Sequence, residues 1–155
     1  MSCDPYQDQV RQFHEATGQP CPAMPTVPDA ATRVLRVRLL VEEVLEYAKA
    51  SGVRVIATAN VLESGRDVRV SQHPRQGPDL VAMAHEGTDV LYVAFGNMVA
   101  MGVPAQACFD EVAQANLRKA PGGKVARRED GKVVKPEGWV PADVGAVLAA
   151  AKREG

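Results

Sequence analysis

Apolar residues recur at helical spacing over five stretches of the 155-residue chain. Asp4 before Pro5 reads as an N-cap followed by proline in the first turn. It predicts a helix over 5–16 that stops near Gly18 and buries Val10 and Phe13. A second helix is predicted over about 30–50, ending at Ser51-Gly52, and a third over 79–101, between Gly77-Pro78 and Gly102. A fourth begins at Pro104 and runs to about Lys119, and an alanine-rich fifth covers 141–154. The prolines of PCPAMPTVP, residues 20–28, break any helical ladder and predict an extended strap. Strong helices with short connections point to an all-α helical bundle, a single domain over 1–155.

Two segments depart from that pattern. VRVIA and DVRVS, within residues 53–76, alternate valines around a turn at Ser64-Gly65. A small β-hairpin insertion at about 53–72 fits, and so does an extension of the second helix through VIATANVLES. Farther on, Asp130-Gly131 marks a tight turn in a lysine-rich loop over 121–141. Little apolar periodicity holds residues 124–139 down, which makes them a candidate lid.

Composition adds mainly exclusions. Hydrophobic residues make up 46% and charged residues 24%, ordinary for a globular chain, and the net charge of −1 leaves no broad basic field for nucleic acid. No apolar run approaches membrane-spanning length, and MSCDPYQDQV lacks the pattern of a secretory signal. Cys3, Cys21 and Cys108 form no CxxC pair, and His14, His73 and His85 show no zinc-ligand spacing. Reduced thiols and a cytoplasmic location are expected.

The carboxylates change the picture. Glu42, Glu43 and Glu46 form an EExxE run in the second helix and share an arc of about 100°. Leu35 and Leu39 lie in the same arc, so this is not a plain solvated face. The opposite face carries Val37, Leu40, Val41, Val44 and Ala48, a stripe expected to join the core. The third helix is apolar or small at nearly every position, yet Glu86 and Asp89 interrupt it at i, i+3. They share a stripe with Ala82, Val93, Gly96 and Asn97, and the helix holds no lysine or arginine to neutralise them. Buried carboxylates need a partner or a metal, and hard oxygen ligands favour Mg2+, with Mn2+ as a substitute, over zinc. EExxE also occurs on solvated faces, and Arg38, four residues before Glu42, offers an ordinary surface pair.

EEVLE at 42–46 followed by EGTD at 86–89 resembles the EExxE…ExxD signature of MazG-like all-α nucleoside triphosphate pyrophosphohydrolases. VRQFHEATG, DVLYVAFG, FDEVAQANLRK and DGKVVKPEGWVPADV are similar to its bacterial and phage branch, which includes relatives of dUTP pyrophosphatases and phosphoribosyl-ATP pyrophosphohydrolases. The resemblance implies Mg2+-dependent hydrolysis of dUTP or other (d)NTPs to a monophosphate and pyrophosphate, a housecleaning of the nucleotide pool. It implies that Glu43, Glu46, Glu86 and Asp89 bind the metal, and that Glu42 is a further ligand or orients the attacking water beside Glu43 and Glu46. Asn116 and Lys119 match positions that contact phosphate or sugar, and Lys135 and Trp139 match a loop closing over the nucleotide. A homodimer or homotetramer is implied as well. The chain departs from compact members in the longer interval between Glu46 and Glu86, where residues 52–78 could reshape the base pocket.

Other residues have plainer readings. His85 reads as structural rather than as a donor to the carboxylates, and Trp139 as a loop anchor or a base-stacking ring. Lys119, Lys124, Lys132 and Lys135 could surround phosphates or simply be solvated, and Tyr92 and Phe95 read as core. Two rival functions follow from the same residues: a catalytically silent nucleotide- or metal-sensing module, and a structural helical oligomer.

Overall fold

In the computed structural model the regular elements are α1 (Pro5–Ala16), α2 (Ala30–Ala50), β1 (Val53–Ala57), β2 (Val68–Gln72), α3 (Leu80–Ala100), α4 (Ala105–Leu117) and α5 (Val144–Glu154). The structure describes residues 4–123, 125–129 and 131–154, so Cys3, Lys124 and Asp130 lie outside the described residues. The mostly helical fold with one small hairpin agrees with the sequence pattern. The chain divides into two compact units, Pro28–Asn97 and Met1–Val27 with Met98–Gly155. No single helix among the described residues is long and apolar enough to cross a membrane.

In the unit Pro28–Asn97, Asp29 caps α2 by accepting the Thr32 N–H at 2.7 Å, which holds its carboxyl below the ordinary value. At the other end Gly52 adopts φ 64°, and a Cβ there would lie 2.8 Å from the Gln76 carbonyl oxygen. That close approach excludes an extension of α2, and the chain turns into β1. Strands β1 and β2 pair antiparallel, with Val55 opposite Val70 and Ile56 opposite Arg69. The connection is longer than a two-residue turn, because Asp67 gathers the N–H groups of Ser64 and Glu63 and the Ser64 hydroxyl around a single helical turn at Gly65–Asp67. Those donors keep the Asp67 carboxyl low. At the root of the hairpin, His73 N–H donates to Gly52 O at 2.8 Å and Asp79 N–H to Ala50 O at 2.9 Å. Asp79 then caps α3, accepting from Val81 and Ala82, which is why the helix starts at Leu80.

The stripe expected to join the core from α2 does not do so. Val37 is 62% exposed and Val41 52%, and Val44 is also exposed, while Leu40 and Ala48 are half-buried. Tyr92 is likewise exposed rather than core, and Phe95 is half-buried.

The other unit holds most of the buried apolar residues, among them Val10, Val99, Val103, Ala105, Cys108 and Ala115. Helix α1 turns Gln7, Val10 and His14 inward, at i, i+3 and i+7, and leaves Phe13 exposed, contrary to the sequence reading. The inward phase is set by hydrogen bonding. Gln7 donates through Nε2 to Val103 O at 2.7 Å and accepts the Ala105 N–H at 3.0 Å, serving the start of α4, where Pro104 has no side-chain cap to give. His14 Nδ1 lies 3.4 Å from Pro20 O. The proline-rich strap is extended, and Thr26 N–H donates to Met101 O at 2.9 Å. Gly102, at φ 63°, lets it pass, since a Cβ there would lie 2.5 Å from Met24 O. Helix α5 begins at Val144, three residues later than predicted, because Asp143 rather than Pro141 sets its start by accepting the Ala146 N–H at 2.9 Å.

Candidate active site

Within Pro28–Asn97, α2 supplies Glu43 and α3 supplies Glu86 and Asp89. One carboxylate oxygen from each lies within 4.8 Å of the others, and all three side chains are half-buried. Gly87 faces the Tyr47 ring, where a Cβ would meet Cε2 at 3.4 Å, so the small residue beside Glu86 leaves room for an aromatic one turn after Glu43. Burial pushes the Glu43 carboxyl above its ordinary value of 4.5, and the charges of Asp89, Glu46, Glu86 and Glu42 push it further.

Glu46 and Glu42 therefore act on Glu43 electrostatically but stand outside the close trio. Glu42 is turned to Arg38, whose Nε donates to its Oε1 at 2.9 Å in an exposed pair. His85 is not structural in the sense expected. Its side chain is 72% exposed, and Nε2 lies 3.3 Å from Asp89 Oδ2. No lysine or arginine comes within ion-pair distance of Glu43, Glu86 or Asp89 among the described residues. Three converging hard oxygens with so little compensating charge fit a divalent cation such as Mg2+ or Mn2+. Farther along α3, the Asn97 Oδ1 is buried with no hydrogen-bond partner among the described residues. The sequence places Asn97 on this stripe and says nothing of that orphaned acceptor.

The four residues read as substrate contacts, Asn116, Lys119, Lys135 and Trp139, come together within the other unit. Trp139 donates its indole N–H to Ala115 O at 2.8 Å, which pins the ring to α4. Lys135 Nζ lies 4.3 Å from the ring centroid and Lys119 Nζ 5.5 Å, and Lys119 also donates to Asn116 Oδ1 at 2.6 Å. An adjacent pocket of about 450 Å³ is lined by Asn116, Lys119, Ala120, Val125, Lys132 and Val133. Lys132 thus belongs with these residues, although in the sequence it is one loop lysine among several. The loop carrying it folds on itself, with Arg127 bridged to Val133 and Gly131, at φ 80°, donating its N–H to Arg128 O. Two ammonium groups and an amide at one pocket suit an anionic ligand.

A family profile for phosphoribosyl-ATP pyrophosphohydrolases matches residues 10–116. That span includes all five carboxylates and Asn116, and ends before Lys119, Lys135 and Trp139. No curated protein matches the sequence.

Proposed function

Because the chain belongs to the phosphoribosyl-ATP pyrophosphohydrolase family, within the MazG-like superfamily, we propose that it hydrolyses nucleoside triphosphates to a monophosphate and pyrophosphate with Mg2+. Membership makes it a pyrophosphohydrolase acting on a nucleotide. The choice of dUTP, with other (d)NTPs after it, and the role in nucleotide housecleaning extend that reading.

The observation that carries the metal assignment is the approach of Glu43, Glu86 and Asp89 to within 4.8 Å. These three, with Glu46 one turn farther on α2, would hold Mg2+, with Mn2+ as a substitute. Bound there, the ion would supply charge neutralisation for the phosphates and polarise the phosphorus under attack. The protein's own part is positioning. Glu42 is assigned as a further ligand or to orient the attacking water beside Glu43 and Glu46. Asn116, Lys119 and Lys135 are assigned to phosphate and sugar. Trp139 holds both ammonium groups near one ring, so the cations need little reordering when an anion arrives. Residues 124–139 are assigned as the lid over the phosphate taken by Lys119 and Lys135, and closure would exclude water from it.

The exposed valines of α2 support a homodimer or homotetramer, since a monomer rarely leaves such a stripe in water. Pyrophosphate release from a panel of triphosphates, with Mg2+ and with chelator, tests the reading. Metal-dependent release that Glu86→Gln abolishes is expected. Binding without release identifies a silent sensor, and neither binding nor release refutes both.

A further inference from the structure

The hairpin insertion contributes nothing to the carboxylate trio, yet its root forms an open pocket of about 340 Å³ within the unit Pro28–Asn97. Helix α2 lines it with Leu45, Ala48 and Lys49, β1 with Val53, Arg54 and Val55, and the segment after β2 with His73 and Gln76. The chemistry divides cleanly. Val53 and Val55 share one face of β1 and, with Leu45 and Ala48, give an apolar lining, while Arg54, at the alternate position of β1, and Lys49 are exposed and add two cationic side chains at its margin. Neither has a carboxylate within ion-pair distance among the described residues. His73 Nδ1 accepts the Arg75 N–H at 3.2 Å, which leaves Nε2 as the donor of the ring. Among the described residues no carboxylate lines the pocket.

Its walls are fixed. Gln76 Nε2 donates to Lys49 O at 2.9 Å, His73 N–H to Gly52 O at 2.8 Å, and Gly52 presses against the backbone of Gln76 and Gly77. The pocket is also separate from the metal residues. At about 100° per residue, Ala48 and Leu45 project roughly 140° and 160° away from Glu43 around α2.

We propose that this pocket is a second, non-catalytic site for a phosphate monoester with an apolar body, a nucleoside monophosphate in the first instance. Lys49, Arg54 and His73 take the phosphate, and the valines and Leu45 take the heterocycle. A volume near 340 Å³ falls in the range of small-ligand sites. The choice of a nucleoside rests on the proposed reaction, which releases one as product, and the site would then report product concentration. The binding itself does not depend on that reaction.

The test is calorimetric titration of the full chain in excess chelator, with uridine 5′-monophosphate and inorganic phosphate as probes. Saturable binding of the nucleotide is expected. Lys49→Gln with Arg54→Gln should weaken it at least about tenfold, the loss of two charge-assisted hydrogen bonds. Glu86→Gln should leave it unchanged, and inorganic phosphate should bind at least about tenfold more weakly, lacking the apolar contacts. Absent binding, unchanged affinity in a folded double variant, loss in Glu86→Gln, or equal affinity for phosphate each overturns the proposal. Pyrophosphate release in Mg2+ is read separately, so failure here and failure of the proposed reaction remain distinguishable.

Discussion

Replacing Glu43 by glutamine should make the metal-free protein more stable and the metal-loaded protein less so. At a separation of 4.8 Å two unit charges repel by ~0.9 kcal/mol in bulk water and ~3.5 kcal/mol at an effective dielectric of about 20. Glu43 takes part in two such pairs, with Glu86 and Asp89, and both partners are half-exposed, so the aqueous figure is the nearer one. Relief of both pairs, allowing for salt screening, is worth roughly 1–2 kcal/mol. Denaturant unfolding in chelator should show that gain for Glu43→Gln. The order should invert in Mg2+, because an ion at 100 times its Kd stabilises the wild type by about 2.7 kcal/mol and the variant by much less. The pH dependence has a definite sign. A carboxyl raised in the folded state gives a native state that binds more protons than the unfolded one. The wild type therefore loses stability as pH climbs from the ordinary value of 4.5 through the raised one, and the advantage of the variant vanishes below 4.5. A variant that is less stable in chelator, or whose difference from wild type ignores both Mg2+ and pH, would refute the account.

The remaining predictions concern the lysine cluster, the strap and the open face of α2. Trp139→Ala and Lys135→Ala should each raise KM by roughly tenfold with smaller effects on kcat and none on metal affinity, whereas Trp139→Phe, which keeps a ring for the cations, should retain more of the wild-type KM. Unchanged KM in all three would confine the cluster to a structural role. Gly102→Ala should cost more than about 2 kcal/mol in thermal or denaturant unfolding, since a methyl group meets the strap and the backbone is left-handed there. A cost near zero would show that the strap does not pass so close. Wild-type protein should scatter light as a dimer or larger at micromolar concentration, and Val37→Glu with Val41→Glu should shift it toward monomer; a monomeric wild type sinks the oligomer.

Much of this was readable from local chemistry. Asp4 caps α1 as its position before Pro5 suggests, and of the five carboxylates in the EExxE and ExxD runs, Glu43, Glu86 and Asp89 converge while Glu42 and Glu46 do not. The hairpin was ambiguous because alternating valines suit a strand and VIATANVLES suits a helix. The backbone of Gln76 against Gly52, a contact 24 positions distant in the chain, decides it. Phe13 was misplaced because hydrophobicity outweighed phase, whereas the phase is set by Gln7 bonding to residues nearly a hundred positions away. The same limit hides Trp139 beneath two lysines and Lys132 at their pocket, since nothing local fixes where a loop cation ends up. The valines of α2 carry a buried-face pattern that one chain leaves in water.

The hydrogen bond from Asp79 N–H to Ala50 O closes the chain on itself. Everything between those residues is a side branch whose two ends meet, so its length is decoupled from the distance between α2 and α3. Loop-closure entropy grows only logarithmically, about 0.6 kcal/mol per doubling of length. Residues can therefore be gained or lost here over generations while the helices that bring Glu43 to Glu86 and Asp89 keep their spacing. The same property makes this branch a natural place to graft a reporter or a foreign loop without retuning the chemistry beside it.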